Sequence, residues 1–159
     1  MKILVTGGLG YIGSHTVVAL QEKGYEVIIV DNLSNTTLDV LEGITRISGK
    51  TPEFHKIDIR NKSELSSFFD KHQDISGVIH FAAFKAVGES VQKPLDYYEN
   101  NVAALVYLLR EMTKLDHPKL IFSSSCTVYG QAEKLPITED APVQQANSPY
   151  GNTKQIDEE

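Results

Sequence analysis

Thr6-Gly7-Gly8-Leu9-Gly10-Tyr11-Ile12-Gly13 decides the fold, because the residues around it read strand, then glycine-rich turn, then helix. Before it, Lys2-Ile3-Leu4-Val5 is an apolar, partly β-branched run suited to a buried parallel strand; after it, Ile12, Val17, Val18 and Leu20 set apolar residues along a helix. Gly7 permits a tight turn, Gly10 lets the backbone approach a pyrophosphate, and Gly13 lets helix and strand pack closely. Unpaired N–H groups at the helix start then face the anion. The spacing is G-x-x-G-x-x-G, where many dehydrogenases carry G-x-G-x-x-G.

The second strand, Glu26-Val27-Ile28-Ile29-Val30, ends at Asp31. A carboxylate at that place can accept from both hydroxyls of an adenosine ribose and would repel a 2′-phosphate, which predicts NAD over NADP. The competing reading of Asp31 is the start of a solvated loop. Asn32-Leu33-Ser34-Asn35-Thr36 is polar and turn-prone, and lies beside the adenosine if Asp31 holds the ribose.

At 159 residues and 41% apolar the chain can bury one good core, and length predicts one domain. The net charge of −6 argues against general nucleic-acid affinity. One cysteine, Cys126, excludes an intramolecular disulfide; with no apolar leader after Met1, it points to a reducing cytoplasm. No apolar run approaches the roughly 20 residues of a membrane span, so no membrane association is expected. No metal is expected either.

Further along, Leu38, Leu41, Ile44 and Ile47 mark an amphipathic helix, and Phe54 to Ile57 a third strand ending at Asp58-Ile59. Asp58 reads either as a cap or, with Ile59, as a reader of an adenine edge. Asn61 caps the next helix, with Glu64 three residues on and Leu65, Phe68 and Phe69 as its buried stripe. Gly77 to Ala83 is a fourth strand whose small carboxyl-end residues let a ligand lie against the backbone; within it His80 reads as packed rather than catalytic. Lys85 follows in a loop.

A long helix is expected from Pro94 to Leu115, with Val102 to Leu109 unbroken apolar residues. A helix apolar all round is covered on both sides, so one face should meet the sheet and the other a second subunit or another domain; of these a homodimer is predicted. Asn100 and Asn101 are poor helix formers at the head of that run, suited to hydrogen bonding. Lys119 to Phe122 is the fifth strand, running into Ser123-Ser124-Ser125-Cys126-Thr127, where Cys126 reads as a small packing residue. A long irregular segment leads to Ser148-Pro149, N-cap and first position of a helix. The alternation predicts an α/β fold, a doubly wound parallel sheet with helices on both faces.

Tyr150 and Lys154 stand at i and i+4 on that last helix, on one face. A phenol with an ordinary pKa of about 10 is a poor base near neutrality, but an adjacent ammonium favours the phenolate. The pair is a candidate general base, against the blander reading of a surface pair.

With these residues the chain resembles the extended short-chain dehydrogenase/reductases, and within them the UDP-glucose 4-epimerase family, across its whole length. The resemblance rests on TGGLGYIGSH, VDNLSN, KIDIRN, HFAAFKAVGESVQKP, YYENN, FSSSCTVYG and SPYGNTK, in family order, with Ala83 and Cys126 standing where other small residues are common. It implies a redox-neutral cycle on a UDP-hexose: Tyr150 takes the proton of the sugar 4-hydroxyl as hydride passes to tightly held NAD, Ser125 binds that hydroxyl, and Lys154 binds the nicotinamide ribose. The 4-keto sugar turns over and takes hydride back on its other face. By family position the cofactor would contact Gly7, Gly10, Tyr11, Ile12 and Gly13, then Asp31, Asn32, Leu33, Ser34, Asn35 and Thr36, and Asp58 and Ile59. Phe81, Ala82, Ala83, Phe84, Lys85 and Asn100 would complete the shell. The rivals are a nucleotide-sugar 4,6-dehydratase and a non-catalytic NAD-binding scaffold; Ser125-Cys126-Thr127 lacks the carboxylate expected of the first. Because the last helix shows no stop signal before Glu159, five residues past Lys154, the chain reads as an N-terminal fragment. It would lack the last strands and the sugar-nucleotide-binding part, and would be inactive alone.

Overall fold

The continuous apolar runs form the parallel, doubly covered strands that such runs favour. In the computed structural model, which describes residues 1–132 and 134–159, the strands are β1 (Lys2–Thr6), β2 (Glu26–Asp31), β3 (Glu53–Lys56), β4 (Ile75–His80) and β5 (Lys119–Phe122). All pair in parallel, in the order β3-β2-β1-β4-β5. The helices are α1 (Tyr11–Glu22), α2 (Asp39–Ser48), α3 (Lys62–Lys71), α4 (Val87–Gln92), α5 (Pro94–Tyr97), α6 (Ala104–Met112) and α7 (Pro149–Glu158), with a π-helical turn (Tyr98–Ala103) and a 3-10 helix (Cys126–Tyr129).

Residues Met1–Ala82 and Tyr107–Ser123 form one compact unit, which holds the whole sheet. Because strand side chains alternate, Ile3, Val5, Val27, Ile29 and Ile79 share one face, where they join Leu9, Val17 and Ile44 in a single core. Leu4, Ile28, Val30 and Val78 are equally buried on the other. Leu65, Phe68 and Phe69 of α3 and Leu108 and Met112 of α6 are buried in the same unit. Lys62 Nζ of α3 lies 4.3 Å over the Tyr107 ring of α6, and Lys114, just past the end of α6, donates from Nζ to Ser66 Oγ of α3 at 2.9 Å. Each such aliphatic side chain contributes about 1.5–3 kcal/mol. The chain winds outward from β1 to β3 and returns to β4, so the order reverses beside β1, where open α/β sheets bind ligands.

The second unit comprises Ala83–Val106 and Ser124–Glu159. In it α7 packs on α4, α5, the π turn and the 3-10 helix. The expected caps form: Ser148 Oγ accepts from Gly151 N at 3.1 Å ahead of Pro149, and in the first unit Asn61 Oδ1 accepts from Glu64 N at 3.3 Å.

Four expectations are corrected. The fourth strand ends at His80, so Phe81 to Ala83 leave the sheet after one further bond, Phe81 N to Thr6 O at 3.0 Å. The helix expected over residues 94–115 is interrupted by the π turn and ends at Met112; Asn101, turned inward to bond other segments, draws the backbone out of α register. Ile12 lies outside the buried stripe of α1, because the sheet-facing place in that turn belongs to Gly13. Cys126 is exposed at the head of the 3-10 helix rather than packed. Among the described residues no helix is long and apolar enough to cross a membrane.

Candidate functional site

In the first unit the glycine turn is shaped by contact. Gly7 has φ +67°, a conformation that side chains resist, and a Cβ there would lie 2.7 Å from Ala82 N. A Cβ at Gly13 would collide with the Gly7 carbonyl oxygen, so α1 rests directly on the turn. Gly8, which the sequence reading passed over, is also required: its Cβ would lie 2.8 Å from Ile29 Cγ2. Gly10 is the N-cap of α1, in extended backbone, and among the described residues no side chain caps that end. The first N–H groups of α1 are thus left to a ligand, with Tyr11 and Ile12 exposed around them.

Asp31 is buried, which removes the solvated-loop reading. Its Oδ2 accepts from Leu9 N at 3.1 Å and its Oδ1 from Leu33 N at 2.9 Å, while Thr36 Oγ1 donates to Leu9 O at 2.8 Å. The carboxylate therefore ties the glycine turn to the loop after β2, and each oxygen keeps a further lone pair for a ligand hydroxyl. Leu33 is held at φ 60°, uncommon for a branched residue. In the same loop Asn32 Oδ1 accepts from Ser34 N at 3.0 Å, and Asn32 Nδ2 donates to Asp58 Oδ2 at 3.2 Å. Asp58 does not cap α3. Its carboxylate is held by Arg60 through Nη2 at 2.7 Å and Nε at 3.0 Å, a pairing that pulls its pKa down to about 2. The Asp-x-Arg spacing was the available signal for this clamp. Ile59 is buried, and His80 is packed, its Nδ1 2.6 Å from Thr6 Oγ1.

In the second unit Tyr150 and Lys154, one turn apart on α7, are 8% and 4% exposed, which overturns the surface-pair reading. The Tyr97 ring meets Tyr150 edge-on at 6.4 Å. Burial lowers the Lys154 pKa, against the pull of Asp157 and Glu158. Burial also pushes the Asp157 carboxyl up to about 6, with Lys154 opposing. Ser125 caps the 3-10 helix, its Oγ accepting from Thr127 N at 3.3 Å and Thr127 Oγ1 at 3.0 Å. Ser124 Oγ is bonded to Glu158. Phe84 and Lys85 lie in the loop before α4, Lys85 exposed.

Asn101 holds this unit together, a role the sequence reading suggested only as hydrogen bonding. Its Oδ1 accepts from Phe84 N at 2.9 Å, and its Nδ2 donates to Phe84 O and to Thr153 Oγ1, both at 3.0 Å. Asn100 instead donates to Asn101 Oδ1 at 3.1 Å. Asn152 Nδ2 to Tyr98 OH at 2.6 Å and Gln155 Nε2 to Val128 O at 2.8 Å fix the rest of α7. A buried phenol and ammonium held on a clamped helix can move a proton to or from a ligand hydroxyl.

A parallel sheet with a glycine turn at its switch point and a strand-end aspartate defines a Rossmann-like α/β protein. The family described as GDP-mannose 4,6 dehydratase matches residues 4–159, and the chain belongs to that family. It is 53% identical over 153 residues to a UDP-glucose 4-epimerase of Dictyostelium discoideum, covering 96% of this chain and 44% of that protein. With a UDP-glucose 4-epimerase of Haemophilus influenzae it shares 50% identity over 159 residues, 100% of this chain and 47% of the relative. The crystal structure of a Bifidobacterium longum UDP-glucose 4-epimerase, in complex with NAD+ and UDP, superposes with a TM-score of 0.95 at 45% identity over 99% of this chain and 47% of that one. The chain thus spans about half the length of the curated relatives it matches.

Proposed function

We propose that these residues are the NAD-binding and catalytic part of a UDP-glucose 4-epimerase, an isomerase interconverting UDP-galactose and UDP-glucose. The observation that carries the reading is the buried Tyr150–Lys154 pair on the clamped helix α7. Support comes from relatives and neighbours that bear this name, one of them crystallised with NAD+ and UDP.

The glycine turn fits a dinucleotide: its backbone leaves room where side chains would intrude, and the first N–H groups of α1 are available to a pyrophosphate. Gly7, Gly10, Tyr11, Ile12 and Gly13 would hold that group. Asp31 through Thr36 would take the adenosine ribose, with Asp31 favouring NAD over NADP, and Asp58-Ile59 the adenine. Phe81 to Lys85, Asn100, Ser125, Tyr150 and Lys154 would complete the contacts. Bound NAD supplies a reversible hydride acceptor. Tyr150 Oη would take the proton of the sugar 4-hydroxyl as carbon 4 is oxidised, and would return it to the oxygen when carbon 4 is reduced with the opposite configuration. Lys154, one turn along α7 from Tyr150, would hold the nicotinamide ribose, while Ser125 Oγ would orient the hydroxyl.

The reading includes one incomplete dinucleotide-binding domain over residues 1–159, with further strands beside β5 and a sugar-nucleotide-binding part outside these residues. The 38% and 60% exposure of Leu120 and Ile121 on edge strand β5 supports such strands. It also includes a homodimer through the helical run from Pro94, where Leu95, Val106 and Leu109 are exposed, and a cytoplasmic location. The test is incubation of the chain, alone and carboxyl-terminally extended, with UDP-galactose and NAD. UDP-glucose from the extended form supports the proposal; a dehydrated 4-keto sugar, or no turnover, overturns it.

A further inference from the structure

We propose that Glu53, His55 and His72 form a binding site for one divalent transition-metal ion, of which Zn2+ is the type, on the edge strand of the sheet. Glu53 and His55 are two apart on β3 and so point to the same side, and His72 follows the last turn of α3 and reaches the same place. One carboxylate oxygen, Glu53 Oε1, lies 2.7 Å from His55 Nε2 and 3.6 Å from His72 Nε2, and the ligand atoms of all three residues fall within 4.8 Å of one another. Ligand atoms around a tetrahedral zinc ion stand about 3.3 Å apart. The two distances from Glu53 therefore lie within about 0.6 Å of that spacing, and the third side of the triangle, no longer than 4.8 Å, closes by side-chain rotation as the ion is taken up.

The ligands are held in place independently of any ion. Phe68 stacks on the His72 ring at 4.4 Å and meets the His55 ring edge-on at 5.0 Å, which fixes both imidazole planes with Nε2 toward the carboxylate. His55 and His72 line a groove of about 400 Å³ between β3 and α3, and Glu53 is exposed beside them, so an ion has access from solvent and a fourth coordination position is open to water. Lys56 and Lys71 line the same groove, so a purely electrostatic cation is disfavoured. Two imidazoles and one carboxylate instead select Zn2+, Ni2+ or Cu2+ over Mg2+ and Ca2+.

Glu53 opens β3, whereas Asp58 lies beyond its other end, so the cluster is distinct from the proposed adenosine contacts. Bound there, the ion would clamp the edge strand to the end of α3. The pattern escapes a sequence scan because His72 stands seventeen residues from His55, joined to it only by the return of α3 along the sheet.

The test is calorimetric titration of the 159-residue chain with ZnCl2, paired with the visible absorption of Co2+ in the same site. One ion per chain is expected, with a rise in Tm, an intense tetrahedral Co2+ spectrum, and no saturable binding of Mg2+ or Ca2+. Glu53→Gln, His55→Ala and His72→Ala should each weaken binding at least tenfold, and His117→Ala should leave it unchanged. Should His72→Ala fail to fold, Glu53→Gln, at an exposed position, decides. Absence of stoichiometric Zn2+ binding, or binding that survives in folded Glu53→Gln and His55→Ala variants, overturns the proposal.

Discussion

Asn101 Nδ2 donates to Thr153 Oγ1 at 3.0 Å, across fifty-two residues of sequence, while the same carboxamide pairs with both backbone groups of Phe84. Thr153 is the neighbour of Lys154, so one buried amide fixes both α7 and the loop that carries Lys85. Asn101→Ala removes the side-chain partner of two half-buried backbone groups, Phe84 N and O, and one bond from buried Thr153 Oγ1, which keeps its bond to Tyr150 O; an unsatisfied group costs about 1–3 kcal/mol. A loss of about 2–4 kcal/mol in urea unfolding is expected. Asn101→Asp retains the bonds accepted from Phe84 N and Asn100 Nδ2 but loses the two that Nδ2 donates, and should be destabilised as well.

Gly7→Ala places a methyl group 2.7 Å from Ala82 N in a backbone conformation that alanine resists. Destabilisation above about 1 kcal/mol is expected, with loss of NAD binding measured by calorimetry. Gly24→Ala, at φ +83° but with no neighbour within 4 Å, should cost stability while sparing NAD.

Asp157 carries a pH signature. Its carboxyl titrates near 6 in the fold, above the ordinary 3.8, and its Oδ1 has no hydrogen-bond partner among the described residues. A raised carboxyl pKa means that folding favours the neutral acid. The fold therefore loses stability as pH rises from about 4 through 6, and the penalty is complete above it. Asp157→Asn should match the parent below pH 4 and exceed it in stability above pH 6, in denaturant titrations across that range.

Tyr150→Phe removes the proposed proton-transferring hydroxyl and retains the ring that meets Tyr97. In the extended chain, epimerisation should fall about 10²- to 10⁴-fold with the fold and NAD affinity preserved. Lys154→Met, which keeps an apolar stem in a buried place, should lower both turnover and cofactor affinity.

Much of this was legible because it depends on local chemistry. The runs at Ile3-Leu4-Val5 and Val27 to Val30 permit little but buried strands, and Asn61 and Ser148 signal their helices through side chains that reach three residues along. Asp31 was legible as a strand-end carboxylate, but not its burial or its two backbone donors, Leu9 from the glycine turn and Leu33 from the loop after β2. The π turn was hidden because an apolar helix and one widened by an inward asparagine read alike. Long-range partners such as Thr153 for Asn101, or His72 for Glu53, exist only once the chain has folded.

The most direct measurement follows the hydride itself. UDP-galactose deuterated at carbon 4 is converted by the extended chain in ordinary water, and the UDP-glucose formed is examined by mass spectrometry and NMR. Full retention of deuterium at carbon 4 with inverted configuration is the predicted result, because the same hydride leaves and returns within one turnover. Deuterium lost to water, or found on another carbon, would contradict it.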